Sequence, residues 1–234
     1  MSDRAALADF FQTYFAQPDN HSHAEGFERP AQLRVTLARI EQQLQDARAY
    51  GDSATERELL LHLGTIHNQL GDGRRAITLL ERALLLMRET NDRQGECYAL
   101  YSLGRAHNQL GDARGALQCY AQSLAILRES SHQRGEAYVL TSLGDVYVAL
   151  ADTHRAWECY TQSRELFRSL GDLYAEANVC WSMGEMLAGQ REYARAAELM
   201  QLLVELEQTS SHINAQHHAN VLAQVRARMQ SSEA

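Results

Sequence analysis

Apolar side chains recur at helical spacing along most of this chain. Leu60, Leu63 and Ile66 stand three residues apart, and Ala76, Leu80, Ala83 and Met87 three or four apart. Such steps return a side chain to the same helix face, so each run predicts a helix with one buried stripe. The first helix covers roughly 54–70 and the second roughly 73–89, with Gly71-Asp72 between them. Glycine takes the left-handed conformation that ends a helix, and aspartate accepts from the exposed N–H groups that open the next. Ser53 and Glu56 have the spacing of a capping box.

The pair recurs every forty residues. HNQLGD at 67–72 returns at 107–112. Leu63-Gly64, Leu103-Gly104, Leu143-Gly144 and Met183-Gly184 fall in register, as do Ala76, Ala116, Ala156 and Ala196. Glu56, Glu96, Glu136 and Glu176 form a third column; Asp72, Asp112 and Asp152, with Glu192, form a fourth. Self-similarity at this period predicts a stacked array of helix pairs. A glycine inside a helix costs about 1 kcal/mol against alanine, so its recurrence predicts close helix approach, with Gly64 facing Ala76 and Gly104 facing Ala116.

The ends differ from the middle. Residues 32–49 align with a second helix, and 213–229 with a first helix in which Ala223-Gln224 replaces Leu-Gly, as in a capping helix. The organisation expected is an N-terminal helix and loop over 1–30, a repeat domain over 31–230 and a polar tail over 231–234. Within the repeat domain come a half repeat at 31–50, full repeats at 51–90, 91–130, 131–170 and 171–210, and a capping helix at 211–230. The segment DRAALADFFQTYFA at 3–16 clusters Phe10, Phe11, Tyr14 and Phe15 on a short helix. Its expected task is to cover the end of the first repeat; the sharper alternative docks it in a groove of its own chain or of a second copy, giving a homodimer.

Composition narrows the function. The chain is 45% hydrophobic and 22% charged, as a folded domain is. A net charge of −8 argues against broad nucleic-acid binding. No apolar run is long enough to span a membrane and no signal peptide stands out. Cys97, Cys119, Cys159 and Cys180 are scattered, which reads as buried thiols in a reducing cytoplasm rather than a metal site. The chain has no phosphate-binding glycine loop, HExxH or GxSxG motif, so no enzyme and no cofactor are expected.

The repeat resembles the tetratricopeptide repeat. The series Leu100, Leu103-Gly104, His107, Ala116, Tyr120, Ser123 and its successor Leu140, Leu143-Gly144, Tyr147, Ala156, Tyr160, Ser163 follow that motif. The forty-residue form, with Gly95-Glu96 and Gly135-Glu136 opening first helices, is similar to Pins-type scaffolds, kinesin light chains and bacterial regulators of the Rap and MalT kinds. The resemblance implies an all-α, right-handed superhelical solenoid whose first helices line a concave, peptide-binding face.

On that reading, four columns of the first helices face a ligand. The candidate residues are Asn68, Tyr98, Tyr101, Arg105, Asn108, Tyr138, Thr141, Asp145, Asn178, Trp181 and Glu185. Aromatics and arginine are enriched where binding energy concentrates. Asn68 and Asn108 have donors and acceptors for a peptide backbone. Arg105 suits a carboxylate, while Asp145 and Glu185 suit a basic ligand. For Tyr98 and Tyr101, packing between repeats is an equally weighted alternative. Pins-type scaffolds carry Asn in two columns where this chain has His62, Ser102, Ser142, Ser182 and Thr65, Arg105, Asp145, Glu185, so a shared ligand is not implied. His67 and His107 read as core histidines satisfied by a hydrogen bond. His21, His23, His217 and His218 have no carboxylate or thiol at ligand spacing. The function expected is a cytoplasmic scaffold for a protein or peptide; the alternatives are a sensor of a small ligand and a self-assembling array.

Overall fold

A computed structural model describes residues 29–210, 212 and 214–233, and among them the regular structure is entirely α-helical. The aromatic segment at 3–16, with His21 and His23, lies outside the described residues. The helices are α1 (Arg29–Tyr50), α2 (Ser53–Gln69), α3 (Gly73–Glu89), α4 (Arg93–Gln109) and α5 (Ala113–Glu129), followed by α6 (Gln133–Ala149), α7 (Thr153–Ser169), α8 (Leu173–Gly189), α9 (Tyr193–Ser210) and α10 (Ala215–Glu233). The chain divides between His132 and Gln133 into two compact units. The N-terminal unit holds α1 and the hairpins α2–α3 and α4–α5. The C-terminal unit holds the hairpins α6–α7 and α8–α9, with α10 packed on α9.

A twenty-residue rule sits inside the forty-residue repeat. Left-handed backbone recurs at Gly51, Gly71, Asn91, Gly111, Ser131, Ala151, Gly171 and Arg191. After Gly71, the Asp72 N–H donates to the His67 carbonyl at 2.9 Å, closing α2. Asp72 then accepts from the Arg75 N–H and opens α3. Asp52, Asp92, Asp112, Asp152 and Asp172 cap their helices in the same way. The expected capping box is corrected here: Asp52, not Ser53, is the N-cap of α2, accepting from the Thr55 N–H at 3.1 Å.

The aligned glycines face their hairpin partners, and the nearest atom in each case belongs to a large side chain; at Gly184 the Ala196 carbonyl also stands 3.0 Å from the Cβ position. A Cβ on Gly104 would lie 2.5 Å from the Tyr120 ring, and one on Gly144 2.5 Å from the Tyr160 ring. Gly64 meets Leu80 and Gly184 meets Met200 in the same register. Each glycine therefore makes room for a large side chain four residues beyond the alanine. The alanines Ala76, Ala116, Ala156 and Ala196 are fully buried beside that contact.

The aligned glutamates join successive pairs. Arg48 donates to Glu56 at 2.9 Å, Arg88 to Glu96 at 2.8 Å and Arg168 to Glu176 at 2.9 Å. Each bond ties the last turn of a second helix to the first turn of the next first helix. Burial pushes the Glu96 carboxyl up, but hydrogen bonds from Arg88 and Arg93 outweigh it and the net shift is downward.

Candidate functional site

In the N-terminal unit the candidate face runs along α2 and α4. Tyr98, Tyr101, Arg105 and Asn108 recur every three or four residues and so share one stripe of α4. The stripe separates by depth. Tyr98 and Tyr101 are buried, whereas Arg105 and Asn108 are half-buried. The Tyr101 ring packs 5.8 Å from that of Tyr120, and the Tyr98 hydroxyl accepts from Gln94 at 2.9 Å. Asn68 is also buried; its Nδ2 donates to the Ser102 carbonyl at 2.8 Å, and Gln109 donates back to the Asn68 carbonyl at 3.1 Å. These bonds tie α2 to α4. Asn68, Tyr98 and Tyr101 thus lie buried beneath the candidate face, which for the tyrosines is the packing alternative left open by the sequence. Asn68 packs toward the neighbouring first helix, whereas the Tyr101 ring lies against the second helix of its own hairpin.

In the C-terminal unit the face runs along α6 and α8. Tyr138, Thr141, Asp145 and Asn178 are half-buried, Glu185 is exposed and Trp181 is buried, 8% accessible. The Tyr138 ring stands edge-on to Phe167 at 4.9 Å. Thr141 shares a hydrogen bond with Ser163 at 2.8 Å, and Asn178 donates to the Tyr174 carbonyl at 3.0 Å. Asp145 accepts from the Tyr160 hydroxyl at 2.6 Å. Burial, and then the charges of Asp145 and Glu185, push that phenol far above its ordinary value. The two carboxylates therefore lie within electrostatic reach of one buried ring. Trp181 belongs to the buried cluster of Met200, Val204, Leu222 and Val225 and so lies beneath the candidate face.

The fold also assembles features that the repeat columns did not reveal. A cavity of about 390 Å³ opens on the N-terminal unit where α3 and α5 cross α4, lined by Glu81, Arg88, His107, Arg114, Gly115 and Cys119 among others. His107 shares a hydrogen bond with Asp112 at 2.8 Å, so that histidine is satisfied as expected. His67 is not: its Nδ1 is buried without a hydrogen bond and stands 3.6 Å from Asp72, and burial holds its pKa below the ordinary histidine value. His218, which has no carboxylate at ligand spacing in the sequence, meets one across helices. Its Nδ1 is 2.6 Å from Glu207 Oε2. Sequence spacing cannot find this pair, because the two residues are brought together by the turn between α9 and α10.

The chemistry of the thiols is muted. Burial pushes Cys97 and Cys119 up to about 11, and it raises Cys180 as well. Thiols so shifted are poor nucleophiles near neutrality. Among the described residues, no group of three His, Cys, Asp or Glu side chains is arranged to hold a metal ion. No described helix is long and apolar enough to cross a membrane.

Comparison with known proteins places this geometry. Residues 55–129 match the tetratricopeptide repeat family. A search of curated proteins finds no match. Among solved structures, a STAND signal-transduction ATPase with a tetratricopeptide repeat sensor, from Pyrococcus horikoshii, is similar at a TM-score of 0.69 and 16% identity. The similarity covers 81% of this chain but 30% of that one. A Rap protein in complex with Competence and Sporulation Factor is similar at 0.60 and 16% identity, over 86% of this chain and 60% of that one. Kinesin light chain TPR-like repeats from Podosopora anserina are similar at 0.59 and 17% identity, over 74% and 88%. At these identities the likeness concerns the fold.

Proposed function

Because this chain carries tetratricopeptide repeats, we propose that it is a non-enzymatic scaffold whose first helices bind a segment of another protein. One observation carries the reading. In each unit the candidate residues sort into a buried set (Asn68, Tyr98 and Tyr101 in the N-terminal unit, Trp181 in the C-terminal unit) and a more accessible set (Arg105 and Asn108 in the first; Tyr138, Thr141, Asp145, Asn178 and Glu185 in the second). A packed base beneath placed polar groups is what segment recognition requires. The base fixes the rotamers, and the polar layer reads the ligand. Arg105 selects a carboxylate in the N-terminal unit. Asp145 and Glu185 select a basic side chain in the C-terminal unit. The Rap structure, solved with a bound factor, supports a ligand-binding role for such an array.

Affinity capture with the native chain, Arg105→Glu/Asn108→Ala and Glu185→Lys tests this reading. A partner held by the native chain and lost from both variants, at unchanged helicity by circular dichroism, is the expected result. Equal capture by all three would move binding off this face.

A further inference from the structure

The Glu207 side chain is fully buried. Its Oε2 lies 2.6 Å from His218 Nδ1, and its Oε1 3.2 Å from His212 Nδ1. The Tyr174 hydroxyl donates to Oε1 at 3.3 Å. One carboxylate therefore gathers α8 through Tyr174, α9 through its own backbone, the following connection through His212, and α10 through His218. The exposed His217 is the next ionisable group on α10, its ring 5.5 Å from that of His218. Burial, and then the Glu207 charge, push the Tyr174 phenol up to about 12, so it stays a neutral donor.

The apolar hold on α10 is limited, with Ala219 and Val221 only partly buried against the α8–α9 cluster. Leu222 and Val225 are its two members of the buried cluster. The polar attachment at Glu207 consequently weighs heavily in whether α10 docks. A buried carboxylate is costly unless it is hydrogen-bonded and its charge is balanced. A neutral imidazole supplies a hydrogen bond alone. An imidazolium supplies the bond and the opposite charge, and such bonds are roughly twice as strong. Changing the imidazole charge changes the docking energy directly.

We propose that Glu207, His212 and His218 form a proton-sensitive latch that fixes α10 on the α8–α9 pair. A proton on the imidazoles tightens the latch, and its loss loosens α10. The His218 ring packs 4.4 Å from that of Trp181, so a loosened α10 uncovers Trp181. The latch rests on this cluster alone and stands whether or not the first-helix face binds a partner.

The test uses the full chain carrying Trp157→Phe, which leaves Trp181 as the one remaining tryptophan. Amide exchange of residues 215–233, corrected for intrinsic rates, and Trp181 emission are followed from about pH 5.5 to about 8.5, across which imidazoles ordinarily change charge. The protection of α10 relative to α8 should fall as pH rises, by at most tenfold per pH unit for one linked proton. Trp181 emission should change over the same interval. Glu207→Gln should abolish both effects, and His217→Gln should leave them. If Glu207→Gln proves unfolded by circular dichroism, the double variant His212→Gln/His218→Gln, which keeps the carboxylate and removes both imidazoles, carries the same expectation. Flat α10 protection in the native chain would overturn the latch. So would a pH dependence that survives these substitutions.

Discussion

The two units use the same helix-pair plan and differ in what they build on it. Each has one aliphatic and one aromatic seam: Leu80 and Tyr120 in the N-terminal unit, Tyr160 and Met200 in the C-terminal unit. Yet the column that carries Arg105 in the first carries Asp145 in the second, where it is held by Tyr160. The outer side diverges as well. Gly115 lines the cavity between α3 and α5. Two repeats on, the same column carries Arg195, whose guanidinium lies 5.3 Å from the Trp157 ring. The seams, which hold a pair together, are kept alike. The columns that leave the seam are free to change charge and size, and recognition can differ between units without disturbing the fold.

The largest test of this contrast is at the seams. Gly144→Ala drives a Cβ to within 2.5 Å of a rigid, fully buried tyrosine ring, and should cost about 3 kcal/mol. Gly184→Ala meets Met200 Cγ at 2.5 Å, on an unbranched side chain that can turn aside, and the Ala196 carbonyl at 3.0 Å, and should cost about 2 kcal/mol. Thermal melts of the two variants separate these values, and equal losses would break the distinction between aromatic and aliphatic seams.

Alkaline pH comes next. The Cys97 thiol, lifted to about 11 by burial, stays neutral in the folded chain while the unfolded chain ionises near the ordinary thiol value of 9.0. A folded pKa above the unfolded one gives stability that is full below the unfolded value and lost as pH rises toward the folded one. Stability should therefore fall between about pH 9 and 11, by on the order of 2 kcal/mol from this thiol. In urea titrations Cys97→Ala should flatten the early part of that fall.

Removing the Tyr160 hydroxyl tests the charge contrast itself. Tyr160→Phe strips Asp145 of a 2.6 Å hydrogen bond, and should cost about 1–2 kcal/mol. An unchanged melting temperature would show that Asp145 needs no support from the seam. The smallest effects lie in the turns. Ala151 and Arg191 hold left-handed backbone at φ 58 and 67, where the repeat elsewhere places glycine. Replacing either by Gly should gain about 0.5–1 kcal/mol, whereas Gly111→Ala should lose about 1 kcal/mol. Denaturant midpoints resolve both signs.

Helix boundaries were legible in the sequence because each is written locally. The expected 54–70 and 73–89 appear as Ser53–Gln69 and Gly73–Glu89, since Gly71 and Asp72 act on their own neighbours. The large side chain nearest each glycine was not legible. Equal periods place Ala76 and Leu80 on one stripe of α3, and their order along the hairpin depends on how far the helices slide past each other. For the same reason, spacing could nominate Tyr101 and Trp181 as exposed contacts, but could not show that neighbouring helices cover them.

By itself the sequence determined the repeat, the helix pairs, the caps and the columns, because backbone conformation responds to residues a few positions away. Tertiary structure alone decided depth and company. It put Tyr98, Tyr101 and Trp181 beneath the surface and left Arg105, Asn108 and Glu185 above it. It also brought Glu207 to His212 and His218. Burial and charge pairing depend on which helices meet. That is set by the packing of whole faces, and no local spacing encodes it.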